Sequence, residues 1–180
     1  MENNFPVLIT ERLLLVELLP AHASDLHKIY SDEETMRYFD CDAHTDIAQT
    51  QKLIRVFNER WEKNQGLRWG ICLTGSRSGE LIGSMGFNSY AENGVGIIGY
   101  DLRKDYWNKG LATEALTAVV RYGFESLLIH RAEAIVDPDN TGSERVLEKC
   151  GFTREGVLRE RYFFKGRYQT VTLFAKLSTD

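Results

Sequence analysis

The sequence predicts a mixed α/β domain. Strand-like and helical segments follow one another as strand, helices, three strands, helix, strand, helix and two strands, and hairpin runs broken by crossover helices indicate a mixed sheet. The strand–helix–strand unit across residues 95–136 implies that the two strands it joins run parallel. With 180 residues the chain is long enough to bury a full core without metal or disulfide staples. No repeat, low-complexity tract or Gly/Ser-rich linker divides it, so residues 1–180 read as a single domain.

Each element has its own signal. Residues 7–18 carry the apolar run RLLLVELL between turn residues and read as the first strand. Pro20 opens a helical stretch to residue 30, with Ala23, Leu26, Ile29 and Tyr30 at helical spacing. A short helix is expected over residues 32–39. Thr45 is placed to cap a longer one over residues 46–63, whose apolar face holds Ile47, Leu53, Ile54, Phe57 and Trp61. Residues 68–73 and 80–90 form a hairpin about a turn at residues 74–79. After the Asn93–Gly94 turn, residues 95–102 make the next strand. A helix over residues 109–126 buries Leu111, Ala115, Leu116, Val119 and Tyr122. Residues 131–136 are a short strand, residues 137–142 are turn-rich, and residues 143–149 form a helix that Gly151 stops. Two last strands, residues 152–163 and 168–176, meet at a Lys165–Gly166 turn.

Bulk properties narrow the function. A hydrophobic fraction of 43% and a charged fraction of 27% argue against disorder. No apolar run approaches the roughly 20 residues of a membrane span, and MENNFPVLITER lacks the layout of a signal peptide, so a cytoplasmic location is expected. The net charge of −4 speaks against nucleic acid as a partner. Residues 101–180 are the more basic part, with 13 Lys and Arg against 12 Asp and Glu, and can receive a compact anion. Cys41, Cys72 and Cys150 include no CxxC pair, and Cys72 and Cys150 sit in apolar surroundings that suit small hydrophobes. His22, His27, His44 and His130 lack metal-ligand spacing and read as structural or exposed, while Trp61, Trp69 and Trp107 read as core.

Two motifs are coincidences. The GxGxxG at residues 94–99 continues into extended sequence and does not open a helix, as a dinucleotide fingerprint must. Asp137, Asp139, Thr141, Gly142 and Glu148 match a calcium-loop spacing, but a strand precedes them where an EF-hand has a helix. The third is YWNKGLATEA, which joins a strand to a strong helix. Gly110 permits close backbone approach, the first helical turn leaves N–H groups unpaired, and Lys109 adds a positive charge. These residues fit a phosphate site and a plain helix start capped by Asn108 equally well.

YWNKGLATEAL resembles the acyl-CoA pyrophosphate loop of the GNAT N-acetyltransferase superfamily, and DPDNTGSERVLEKCGFTREG resembles its Asn-x-x-Ser…Gly-Phe segment. ITERLLL and GRYQTVTLFAKL are similar to the branch containing the Rim-type ribosomal-protein N-terminal acetyltransferases. The likeness implies a central mixed, mostly antiparallel sheet with helices on both faces, binding acetyl-CoA as co-substrate and no metal. It further implies that the backbone of Asn108, Lys109, Gly110, Leu111, Ala112 and Thr113 cradles the pyrophosphate. Leu102 and Arg103 then belong to a strand that splays from its neighbour and pairs with the pantetheine arm. An N–H near Tyr100 would polarise the thioester, Asn140 would contact the cofactor, and Ser143 aligns with the residue proposed to protonate the leaving thiolate, although a serine at a helix start is also a common N-cap.

The implied reaction is acetyl transfer to a primary amine by direct attack, with a protein α-amino group as the leading acceptor and a monomer or homodimer as the acting form. The alternatives are a small cationic amine, such as a polyamine or aminoglycoside, which Asp40 and Asp42 would attract, and a non-catalytic acyl-CoA-binding module. The last arises because many relatives carry glutamate two residues before the Gly–Tyr of this strand, where this chain has Ile97. Glu92, Asp101 and Glu160 are substitute bases on paper, and each also reads as an ordinary surface or turn carboxylate.

Overall fold

The computed structural model describes residues 4–76 and 79–180. Its frame is an eight-stranded sheet in the order β1-β2-β3-β4-β5-β6-β8-β7. The strands are β1 (Leu8–Ile9), β2 (Leu13–Glu17), β3 (Leu67–Leu73), β4 (Leu81–Tyr90), β5 (Val95–Leu102), β6 (Arg131–Val136), β7 (Thr153–Phe164) and β8 (Arg167–Leu177). The helices are α1 (Ala23–Tyr30), α2 (Glu33–Met36), α3 (Ile47–Glu62), α4 (Leu111–Glu125) and α5 (Thr141–Lys149). Every neighbouring pair is antiparallel except β5 and β6, which α4 joins by the expected crossover.

Strand alternation sorts the apolar residues onto two faces. Leu13, Leu15, Leu67, Trp69 and Ile71 pack with Leu111, Leu116, Val119 and Leu147 of α4 and α5. Leu18, Leu26, Ile29, Ile54 and Phe57 form a second cluster under α1 and α3. Cys72 and Cys150 are buried, and Trp69 is buried with its indole donating to the Pro6 carbonyl at 2.7 Å. Among the described residues no helix is long and apolar enough to cross a membrane.

Three expectations need correction. Residues 7–18 are not one strand: a turn at Thr10–Arg12 splits them into β1 and β2, with the Leu13 N–H donating to the Thr10 hydroxyl at 3.0 Å. Asp46, not Thr45, caps α3, taking the Ala48 N–H at 2.8 Å while the Gln49 side chain accepts the Asp46 N–H at 3.0 Å. Gly110, not Asn108, is the N-cap of α4. The turn expected over residues 74–79 includes Arg77 and Ser78, which lie outside the described residues.

Phe87 shows how tightly α4 is seated. A Cβ at Gly123 of α4 would lie 2.4 Å from its ring, and one at Gly96 of β5 would lie 2.7 Å from it. The buried ring therefore occupies space that a side chain at either glycine would need. Alanine at a helix interior gains about 1 kcal/mol in propensity, whereas overpacking a filled core costs about 1–3 kcal/mol. Gly123→Ala is expected to lower the melting temperature by roughly 2–6 °C, and Phe87→Leu in the same chain to restore part of it, both read by calorimetry.

Candidate active site

The site grows from a divergence in the sheet. β5 and β6 pair only from Val95↔Arg131 to Ile98↔Ala134, although β5 runs to Leu102 and β6 to Val136. The Arg103 N–H donates to Ile82 on β4 at 2.8 Å. Strand alternation then turns the backbone of Asp101 and Gly99 toward β4, and that of Tyr100 and Leu102 toward the gap that β6 leaves. The Leu102 carbonyl accepts the Trp107 indole N–H at 2.6 Å.

A buried network holds this end of β5 in place. Asp101 accepts bonds from Arg68 Nη2 at 2.6 Å, the Tyr30 hydroxyl at 2.9 Å and the Ser84 hydroxyl at 2.6 Å, while its other oxygen takes the Ser84 N–H at 2.9 Å. Arg68 also donates to Ser84 and Asn88, and its guanidinium lies 4.7 Å above the Phe57 ring. Burial, with the Asp101 charge second, pushes the Tyr30 phenol well above its ordinary range, so it remains a donor.

Beyond β5 the chain turns sharply into α4. Asn108 and Gly110 both take positive φ, 58° and 74°. No side chain caps the helix, so the N–H groups of Leu111, Ala112 and Thr113 face outward without helical partners. Together with the helix dipole and the exposed Lys109, whose ammonium stands 5.3 Å over the Tyr106 ring, they present a positive end that suits an anion. The β1–β2 turn braces it. Arg12 donates to Glu114 at 2.6 Å and to the Lys109 carbonyl at 2.9 Å, and the Thr10 hydroxyl donates to Glu114 at 2.6 Å. Burial alone would raise the Glu114 carboxyl, but the bonds from Thr10 and Arg12 outweigh it and hold it below the usual range.

The other side of the gap belongs to α5. Asn140 is its N-cap and accepts the Ser143 N–H at 3.1 Å, which frees the Ser143 hydroxyl from capping. That hydroxyl meets the Tyr100 phenol at 2.5 Å. Burial pushes the phenol up to about 12, so it stays protonated across the neutral range. Tyr100, Asn140 and Ser143 thus share one cleft of about 960 Å³, whose walls also carry His44 and Lys52 from the α2–α3 side and Tyr162 and Phe163 from the β7–β8 hairpin.

The structure brings most of the expected site residues together. Asn108 to Thr113 form the turn into α4 at the end of β5, and Tyr100, Asn140 and Ser143 line the cleft beside it. Leu102 presents its backbone at the gap, but Arg103 turns away: its side chain pairs with Glu80 at 2.6 Å and packs over Tyr106 at 4.9 Å. Ile97 lines the cleft, and Asp101 is consumed in its ion pair. Glu92 and Glu160 are exposed. Sequence reasoning missed the Arg12–Glu114 brace and the Arg68–Asp101 pair, which join residues 102 and 33 positions apart. The GxGxxG lies inside β5 and the calcium-like spacing follows β6, a strand. Among the described residues no cluster of three His, Cys, Asp or Glu side chains is placed to hold a metal.

The chain is similar to known proteins in sequence and in fold. The chain is 37% identical over 174 residues to the uncharacterized N-acetyltransferase p20 of Bacillus licheniformis, covering 96% of this chain and 97% of that one. It is 31% identical over 141 residues to the ribosomal protein uS5 alanine N-acetyltransferase of Escherichia coli, covering 77% and 72%. A GNAT acetyltransferase from Bacillus anthracis superposes with a TM-score of 0.84 at 27% identity, over 97% of this chain and 100% of that one. Spermidine N-acetyltransferase from Vibrio cholerae, solved with CoA and spermine, superposes at 0.80 with 22% identity, over 94% and 98%. Residues 12–153 match the model of the acetyltransferase (GNAT) domain. With that match added to a splayed β5–β6 pair and an uncapped glycine-led helix, the chain belongs to the GNAT family of N-acetyltransferases.

Proposed function

We propose that this N-acetyltransferase takes its acetyl group from acetyl-CoA and delivers it to a protein N-terminal α-amino group in a ternary complex. In this reading the N–H groups of Asn108 through Thr113 and the Lys109 ammonium hold the pyrophosphate. The backbone of Tyr100 and the Leu102 N–H, which β6 leaves unpaired, bond to the pantetheine arm, and Asn140 steadies it from α5. The Tyr100 N–H then points to where the thioester oxygen gathers charge, a donor worth about 3–4 kcal/mol in such positions. Alignment of amine and thioester in one cleft contributes about 7–11 kcal/mol more. As the carbon–sulfur bond breaks, the Ser143 hydroxyl gives its proton to sulfur, the Tyr100 phenol supports the serine oxygen by donating a hydrogen bond to it, and solvent restores the serine proton.

Ile97 carries the choice of acceptor. It puts a hydrocarbon in the cleft wall at the position where many relatives have a glutamate. An α-amino group with a pKa near 8 is about 10% neutral at pH 7, whereas a lysine-type amine near 10.4 is only about 0.04% neutral. A cleft without that carboxylate favours the acceptor needing the weaker base. Its aromatic walls, Tyr38, Phe39, Tyr162 and Phe163, also suit a peptide. Asp40 and Asp137 on the same wall support a second reading, a polyamine acceptor.

Two measurements test these assignments. Calorimetric titration with acetyl-CoA is expected to give one site per chain, and Gly110→Glu to weaken it at least about 100-fold, roughly 2.7 kcal/mol, by placing a carboxylate against the pyrophosphate. Wild-type affinity in that variant would remove the cradle from the account. In a thiol-release assay, peptides with a free N-terminal alanine or serine are expected to exceed spermidine in kcat/KM by at least about tenfold at pH 7.5. A preference for spermidine would move the acceptor to the polyamine class.

A further inference from the structure

The α2–α3 loop brings a histidine into the cleft on a fixed mount. The His44 N–H donates to the Tyr30 carbonyl at 2.7 Å, and its ring stacks on the Tyr30 ring with centroids 5.2 Å apart and planes 22° apart. His44 Nδ1 lies 2.8 Å from the hydroxyl of Thr50, which is fully buried on α3. His27 Nδ1 of α1 lies 3.0 Å from the same oxygen. Tyr30 in turn bonds to Asp101, the neighbour of Tyr100 on β5. A single contact chain therefore ties the imidazole to the strand that faces the reacting carbonyl, and both His44 and Tyr100 line one cleft.

We propose that His44 accepts the proton of the attacking amine through its Nε2, and that Thr50 is the positioning residue that fixes the tautomer. The proposal rests on the acetyl-transfer reading above. The Thr50 hydroxyl has one hydrogen and lies between two Nδ1 atoms. When it donates to His27, His44 must carry its hydrogen on Nδ1 and donate it to Thr50, which leaves the Nε2 lone pair for the cleft. Proton uptake at Nε2 then needs no rearrangement, because an imidazolium keeps the same Nδ1–H bond. The steps balance: the amine nitrogen bonds the carbonyl carbon, its proton passes to Nε2, and the carbon–sulfur bond breaks. Ser143 protonates the departing sulfur, and solvent removes the proton from His44 and returns one to the Ser143–Tyr100 pair. The hydrocarbon at Ile97 and the imidazole at His44 are thus complementary features of one wall.

Ionisable neighbours set the pH range. His27 shares the Thr50 hydroxyl with His44 and Tyr30 stacks on it, while Asp40, Cys41 and Lys52 line the same cleft. Burial, followed by repulsion from His27, lowers His44 below its ordinary 6.5. A lowered pKa keeps the ring neutral, and so a base, at pH 7, and ends that role as pH falls through the lowered value.

His44→Gln and Thr50→Val are compared with wild type for peptide acetylation between pH 5 and 9 and for acetyl-CoA binding by calorimetry, and the His44 ring is titrated by NMR. In wild type, log kcat/KM is expected to rise with a slope of two below the NMR pKa of His44 and a slope of one above it, up to the amine pKa. His44→Gln is expected to bind acetyl-CoA normally, to lose about 100-fold in kcat, and to show a slope of one throughout. Thr50→Val is expected to lose about tenfold in kcat with KM unchanged, and to shift the NMR pKa. A His44→Gln enzyme within threefold of wild type, or one keeping the slope of two, overturns the role of His44 and leaves the acetyl-transfer reading standing. Absence of acetyl transfer by wild type to any amine overturns the reading itself, independently of His44.

Discussion

Arg68 and Asp101 meet under the far end of β5, with side chains 5% and 0% exposed. Desolvating two charges costs several kcal/mol per ion, and the site repays it only because every oxygen of Asp101 is bonded and Arg68 has three separate acceptors. What the pair achieves is position. It ties β5 to β3, β4 and α1 at the point where β6 departs, so one strand stays flat against the sheet while its neighbour leaves. Without that tie, the end of β5 beyond its last pair with β6 would be free to follow β6 and close the gap.

The consequences run outward from that gap. At one end the chain leaves β5, passes two left-handed residues and enters α4 with its first N–H groups uncovered. At the other, α5 delivers a serine whose hydroxyl is released by Asn140 and engaged by Tyr100. The acceptor cleft opens beside both, walled by aromatic residues and by His44. In the proposed reading, phosphate, thioester and amine would meet side by side along a single strand, which is the arrangement that acetyl transfer by direct attack requires.

How much of this could be read in advance follows the range of the interactions. The bounds of β5 and β6 and their parallel pairing match the periodicity and the crossover rule, because both are local patterns. The glycine-led start of α4 was visible because Gly110 and the helix after it are adjacent in sequence. The split of residues 7–18 was not, since the RLLLVELL run gives no sign that Thr10 and Arg12 turn toward Glu114 about a hundred residues away. Asp101 read as a surface carboxylate because its partners Tyr30, Ser84 and Arg68 come from three other elements. His44 carried no ligand spacing, and only the fold sets it beside Thr50 and His27.

Amide hydrogen exchange read residue by residue along β5, with and without acetyl-CoA, tests the central claim most directly. The N–H groups of Tyr100 and Leu102 are expected to exchange rapidly in the free protein and at least about tenfold more slowly with acetyl-CoA bound. Those of Asp101 and Arg103, which face β4, should be slow in both. Equal exchange at Tyr100 and Leu102 in the two states, with acetyl-CoA shown to be bound, would contradict a strand edge that receives the cofactor.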